Sequence, residues 1–321
     1  MAVRVLNQQE VEELLDMAGC IEAMEGALRA LARGDVAMPL RTMFAPDDSS
    51  LMGLMPSHRG GAEPLYALKT VCVFPDNPTR GLDAHQGTMT LFDGETGETR
   101  AVLNASAVTA IRTAAVSAVA TRLLAREDVA TLGILGAGVQ ARSHAAAMRA
   151  VRQFERVLLY SPTREHAQAA AAEIGAEVAA SAREVVEASD VLVAATNATE
   201  PVLERSWLRR GTHVNSVGGR PPRMTELDTA TIADSAFFVD RRESTEAEAG
   251  DYQHALEEGA IGPDHIRGEI GEVAIGAKPG RRSDDELTVF RSMGLAVEDL
   301  AAAEYVVRRA QEQGVGTTVS F

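Results

Sequence analysis

Two cysteines, Cys20 and Cys72, are too few for a disulfide framework and fit a reducing compartment; both are expected to be buried as small apolar residues. Positive charge is also in short supply, with 31 basic against 46 acidic side chains and a formal net charge of −15. A surface of that sign repels phosphate backbones, which argues against nucleic acid as a partner. It also means that an anionic substrate must be held by a local cationic pocket. Although 45% of the residues are apolar, no window is read as reaching the ~18 apolar residues of a membrane span. The opening "MAVRVLNQQEVEELL" has no charged stretch followed by an apolar run, so no signal peptide is expected. A cytoplasmic location and no membrane partner follow as expectations. No His/Cys cluster has metal-ligand spacing, so no metal is expected. Internal repeats and low-complexity linkers are missing too. A chain of 321 residues has material for one or two domains with a buried core.

What is there falls into two styles of patterning. Asn7 followed by Glu10, just before "VEELL", reads as a helix cap with its reciprocal partner. A second helical pattern runs from about Cys20 to Ala32 and stops at Gly34. Then the period changes. "RTMFA", "SLMGLMP", "YALKTVCVF" and "GTMTLFD" are short apolar pieces, and "DGETGETR" reads as a hairpin loop, so residues 36–104 are expected to form a mostly antiparallel sheet. An Ala-rich helix, "ASAVTAIRTAAVSAVATRLLA", leads onward. From Val129 strands ("ATLGIL", "RVLLY", "DVLVAAT", "HVNSVG", "AFFVD") alternate with helical patterns, the signature of a doubly wound parallel sheet. The last helix, Ala296 to Gln313, is amphipathic and follows a nucleotide fold already complete. The expected class is therefore α/β: a Rossmann-type parallel sheet over residues 126–294, plus an α+β domain over residues 1–125 joined by the C-terminal helix, 295–321.

The stretch "TLGILGAGVQARSH" carries the sharpest motif. Gly136 permits a tight turn, Gly138 lets the backbone approach a pyrophosphate, and Ala141 allows close helix–strand packing. Val139 and Gln140 open the helix whose free N–H groups face the phosphates. An NAD site usually places an acid about 20 residues on, to hold the ribose hydroxyls. Here Tyr160 is followed by Ser161, Pro162, Thr163 and Arg164. No carboxylate opposes a 2′-phosphate, and Ser161, Thr163 and Arg164 are possible donors to one. The cofactor is thus read as NADP(H) or NAD(H). Thr196, ending "DVLVAAT", and Val217, in "HVNSVG", are further cofactor-binding candidates.

Three basic residues sit oddly in the first part of the chain. Arg41 heads a strand, Lys69 interrupts "YALKTVCVF", and Arg112 lies in the Ala-rich helix. Single basic residues in apolar runs are often edge-strand or snorkelling residues. Together the three suit one task, gripping a carboxylate beside a nicotinamide. Arg offers a bidentate fork, and a partly desolvated Lys serves as a proton donor or acceptor. His85 and Gln86 are further polar candidates. His144, one turn into the nucleotide-domain helix, is read as structural.

These residues resemble a known family, the ornithine cyclodeaminase/mu-crystallin family, over nearly the whole chain. The resemblance rests on "MPLRTM", "ALKTV", "AHQGTMTLFD", "TAIRTAAVSAVAT", "LGILGAGVQARSH", "VNSVGGRPPRMTELD" and "FRSMGLAVEDLAAA". It implies a homodimer, an N-terminal domain that binds substrate and forms the dimer contact, and a Rossmann domain holding NAD(P). The positions matching Arg41, Lys69 and Arg112 would bind the substrate's carboxylate and reacting nitrogen, with His85 and Arg112 against the cofactor. True cyclodeaminases carry an aspartate after "GG"; this chain has Arg220, which cannot act as a base. The chain therefore looks more like the mu-crystallin branch of ketimine reductases, although those carry Asn-Arg-Thr where Ser161, Pro162 and Thr163 stand. The implied activity is NAD(P)H-dependent reduction of a small α-imino acid, such as Δ1-pyrroline-2-carboxylate or Δ1-piperideine-2-carboxylate, with Lys69 as the catalytic group. The alternatives are an alanine-type dehydrogenase, then a cyclodeaminase, or a binding protein without turnover.

Overall fold

In the computed structural model, which describes residues 2–47, 50–218 and 224–320, the first helix starts where the Asn7–Glu10 pattern places it. The Asn7 side chain accepts from the Glu10 N–H at 3.0 Å, and the Glu10 carboxylate accepts from the Asn7 N–H at 2.8 Å. The chain begins with β1 (Ala2–Leu6), α1 (Gln8–Leu14) and α2 (Met17–Arg33). It then runs through β2 (Val36–Ala37), β3 (Thr42–Asp47), β4 (Ser50–Arg59), β5 (Leu65–Val73), β6 (His85–Asp93) and β7 (Thr99–Asn104) into α3 (Ala105–Leu124). Next come β8 (Thr131–Leu135), α4 (Val139–Val151), β9 (Arg156–Tyr160), α5 (Arg164–Ile174), β10 (Glu177–Val178), α6 (Ala182–Ala188), β11 (Val191–Ala194) and β12 (His213–Ser216). They are followed by α7 (Thr229–Ala233), β13 (Ala236–Val239), α8 (Arg242–Glu248), α9 (Gly250–Glu257), β14 (Gly268–Glu269), α10 (Ile270–Ala274) and β15 (Thr288–Arg291). The chain closes with α11 (Ala296–Gln313) and β16 (Thr317–Ser320).

Two compact units result: Met1–Arg112 with Gly294–Phe321, and Thr113–Met293. The division falls inside α3, so residues 113–125, grouped with the first domain in the sequence reading, belong to the second unit. The sheet of the first unit runs β16-β1-β7-β6-β5-β4-β2, with β3 paired to β4. Only β1 and β7 are parallel; the other pairs are antiparallel. Side chains alternate cleanly across it. Met55, Ala67, Met89, Leu91 and Leu103 are buried on one face, which α11 covers, with α2 packed on α11. Register puts Phe44, Met52 and Tyr66 on the other face, where they stay exposed at 64%, 38% and 51%. Cys72 shares that face and is only half-buried, unlike the expectation for it, whereas Cys20 is fully buried and its thiol is pushed up to about 12 by desolvation.

The second unit holds eight parallel strands in the order β10-β9-β8-β11-β12-β15-β13-β14. Its core includes Leu135, Leu158, Leu192, Val214, Phe237 and Val289, and Tyr252 stacks on Phe237 at 5.7 Å. The sequence reading did not register β15, which is buried throughout and lies between β12 and β13. The nucleotide fold is therefore complete only with the residues immediately before α11. The helix α3 corrects a second expectation: by length and composition it is apolar enough to cross a membrane. Its apolarity comes largely from alanine, which a search for strongly apolar runs passes over. Of its most apolar window, 72% is buried inside the protein, as in a core helix.

Candidate active site

The three odd cations of the sequence come together in the first unit. Lys69 points from β5 to the covered face of the sheet, and its Nζ lies 2.6 Å from Asp299 Oδ2. Arg112, from α3, donates through Nε to Asp299 Oδ1 at 2.9 Å and through Nη1 to Glu298 Oε2 at 2.9 Å. Arg41 donates to the Gly294 carbonyl at 3.1 Å. All three therefore meet the short stretch that starts α11. Gly294 has φ +69°, and a Cβ there would lie 2.5 Å from Arg112 Nη1, so the backbone turn and the seat of the guanidinium both require glycine. Glu298 also reaches back to accept from the Leu295 N–H at 3.0 Å, which fixes the helix start.

Lys69 and Arg112 are each 2% exposed, and Glu298 and Asp299 are fully buried. Burying charges is costly unless they are paired, and here each is paired. Desolvation pulls the Lys69 ammonium down to about 8; the attraction of Asp299 resists this, while Arg112 and Arg41 add to it. Burial works against ionisation of Asp299, but Arg112 and Lys69 outweigh it and hold its carboxyl below the usual range. Among these five side chains, three cations gather around two carboxylates. Such a group suits one carboxylate, and it holds an ammonium able to exchange its proton near neutral pH.

Glu298 and Asp299 were missed by the search for site residues, although their signal mirrors that of the cations. Two acids sit inside the apolar run "GLAVEDLAAA", just as Lys69 and Arg112 interrupt apolar runs of their own. His85, at the start of β6, is exposed, and its carbonyl accepts from the Ser106 hydroxyl.

In the second unit, the glycine turn follows β8 and opens α4, as its motif requires. Gly136 has φ +116°, and a Cβ there would lie 2.4 Å from the Ala195 carbonyl. A Cβ on Gly138 would meet nothing within 4 Å, so the space over this residue is open. Gly138 caps α4 without a side-chain hydrogen bond, Val139 is 54% exposed, and Gln140 Oε1 is buried without a hydrogen-bond partner among the described residues. Ala141 is fully buried against the sheet. An uncapped helix N-terminus behind an open glycine turn fits a pyrophosphate. At the end of β9, Ser161 is half-buried and Thr163 and Arg164 are exposed; Thr163 caps α5 without a side-chain bond. These three polar groups lie where the ribose of a dinucleotide is read.

Thr196 and Val217 follow β11 and β12 and are half-buried. Both donors of Thr196 are directed to Glu226, at 2.7 Å from N and 2.9 Å from Oγ1, so toward a cofactor it offers only acceptors. His144 is buried between Ser117 Oγ at 2.9 Å and the Gln140 carbonyl at 2.8 Å. Burial lowers it to about 4 and keeps it neutral, in the structural role read for it. Arg220, read from the sequence as a departure from the cyclodeaminases, lies outside the described residues.

A Rossmann-type sheet with an open glycine turn, joined in one chain to an α+β unit with a carboxylate-buffered cation cluster, defines a two-unit dinucleotide-binding protein. The chain belongs to the ornithine cyclodeaminase/mu-crystallin family, whose model matches residues 1–314. It is 39% identical to the Δ1-pyrroline-2-carboxylate reductase of Bacillus cereus, over 99% of both chains. Among solved structures it is similar to the Δ1-pyrroline-2-carboxylate reductase of Thermococcus litoralis in complex with NADH and L-proline, at 38% identity and TM-score 0.95, covering 99% of this chain and 100% of that one. An archaeal alanine dehydrogenase dimer with bound NAD matches over 100% of both chains, at 33% identity and TM-score 0.94.

Proposed function

We propose that the chain is a NAD(P)H-dependent reductase of α-imino acids, acting on cyclic ketimines such as Δ1-pyrroline-2-carboxylate. One observation carries the reading: Arg41, Lys69 and Arg112 gather at Gly294, Glu298 and Asp299. A reduced nicotinamide supplies the hydride for such a reaction. Arg41 and Arg112 hold the substrate carboxylate and so fix the neighbouring carbon in place. The Lys69 ammonium donates a hydrogen bond to the lone pair of the neutral imine nitrogen, which makes the adjoining carbon more electrophilic. As the C–H bond forms, the C=N π pair moves onto nitrogen and the product is a secondary amine. The nitrogen takes the Lys69 proton as that pair arrives, and the lysine, left neutral beside Asp299, regains a proton from water.

Similarity to the Bacillus and Thermococcus reductases supports the cyclic substrate, and similarity to the archaeal enzyme supports a dimer. The exposed sheet face carrying Phe44, Met52 and Tyr66 is the surface we assign to that homodimer. The cytoplasm is the proposed location. The test of function is oxidation of NADH and of NADPH by five- and six-membered cyclic ketimines, compared with pyruvate plus ammonia and with ornithine. Turnover of a cyclic ketimine at least about tenfold faster than the other pairs is expected, the scale of one pocket contact. Faster turnover of pyruvate plus ammonia would overturn the substrate assignment, and ammonia release from ornithine would overturn the argument from Arg220. Sedimentation of the purified chain tests the dimer.

A further inference from the structure

Glu226 lies in the stretch "VNSVGGRPPRMTELD" with no role assigned to it above, yet it is fully buried and its carboxylate is crowded with donors. Oε1 accepts from the Thr196 N–H at 2.7 Å and the Thr196 hydroxyl at 2.9 Å. Oε2 accepts from the Ser216 hydroxyl at 2.8 Å and the Gly218 N–H at 2.9 Å. One side chain therefore ties the backbone leaving β11 to the backbone leaving β12. From the opposite side, Arg291 at the end of β15 donates to the Gly218 carbonyl at 2.5 Å, and Asp251 holds that guanidinium at 3.1 Å. Gly218 is thus gripped at both its N–H and its C=O.

The two loops tied by Glu226 stand at the carboxyl ends of adjacent parallel strands. They lie past the point, between β8 and β11, where the strand order reverses. In open α/β sheets a dinucleotide lies across that point, one mononucleotide on each half. The Gly136–Gly138 turn serves the half on β8, so the loops after β11 and β12 serve the nicotinamide half. We infer that Glu226 is a positioning residue for the nicotinamide mononucleotide, acting through the backbone of Thr196 and Gly218. This rests on the reading above that the second unit binds NAD(P)(H). The two carboxylate oxygens accept from all four donors at once. In Glu226→Gln the amide turns its NH2 toward either the Thr196 N–H or the Gly218 N–H, and a backbone donor cannot rotate away as a hydroxyl can.

The test titrates the full-length wild type, Glu226→Gln and the milder Ser216→Ala with NADH and with ADP-ribose, which lacks the nicotinamide mononucleotide's ring and carboxamide. If the wild type prefers the phosphorylated cofactor, NADPH and 2′-phospho-ADP-ribose replace them. Glu226→Gln is expected to weaken the nicotinamide nucleotide by about tenfold or more while ADP-ribose stays within about twofold, and Ser216→Ala to move the same way by less. Equal weakening of both ligands would show a general structural role and overturn the inference, as would unchanged binding of both. If Glu226→Gln does not fold, Ser216→Ala decides by the same criteria. A wild type that binds neither nucleotide would instead overturn the functional reading, and the inference with it.

Discussion

Removing the charge of Asp299 while keeping its shape, as in Asp299→Asn, isolates what the shared carboxylate does. In the wild type Lys69 titrates at about 8, a balance between burial, which lowers it, and Asp299, which raises it. Unit charges 4 Å apart at an effective dielectric of 20 interact by about 4 kcal/mol, equivalent to roughly three pH units. Relaxation of the site reduces this, so the expected displacement of Lys69 is roughly one to three pH units downward. The direction for activity follows from the proton. The ammonium form supports reduction, so the wild-type rate is sustained below pH 8 and falls as pH rises through that value. In Asp299→Asn the fall begins at lower pH, and at pH 7 about half or more of Lys69 is neutral. The assay is kcat/KM for one cyclic ketimine across pH 5 to 10, in both proteins, because titration of the ketimine itself is then common to both. An unshifted or raised midpoint in Asp299→Asn would refute the reasoning.

Lys69→Ala and Arg112→Ala are each expected to reduce turnover by ~100-fold or more, the scale of losing one electrostatic stabiliser, and near-wild-type rates in both would remove them from the site. Gly294→Ala should lower stability by about 1–3 kcal/mol, through its left-handed backbone and the contact with Arg112, and raise the KM for the imino acid, read by thermal melting and initial rates. Gly138→Ala meets no protein atom, so its melting temperature should stay at the wild-type value while dinucleotide affinity falls; equal affinity would mean that no phosphate lies over the turn.

The local signals in the sequence survived in the structure because their physics is local. Asn7 and Glu10 are three residues apart, and Gly136 needs only its own turn and the neighbouring strand. The strand β15 was hidden because "TVFR" is four residues long, emerges from the polar stretch "KPGRRSDDEL" and ends in an arginine buried on Asp251. The outer strand β16 was hidden for the opposite reason: "TTVS" is exposed along its length and has no apolar side to betray it. At the site, Lys69 and Arg112 were legible as charges out of place. The partners that hold them were not, because Glu298 and Asp299 stand well over a hundred residues further along the chain, and no periodicity reports a contact of that separation. Glu226 was invisible for the same reason, since acids near the start of short helices are commonplace and only the coordinates show four donors around this one.

The discontinuity of the first unit bears on how the protein is made. Strands β1 to β7, its cations and the helix carrying Arg112 leave the ribosome before the second unit, but Gly294, Glu298 and Asp299 leave after it. Until they arrive, Lys69 and Arg112 lack the carboxylates that make their burial tolerable, and β1 has no β16 to cover its outer edge. The nascent first unit therefore cannot close, whereas the parallel sheet has all its strands beforehand. A chain stalled or cut just past Met293 would hold a finished nucleotide fold beside an open, charge-frustrated partner, the form that quality-control proteases meet first.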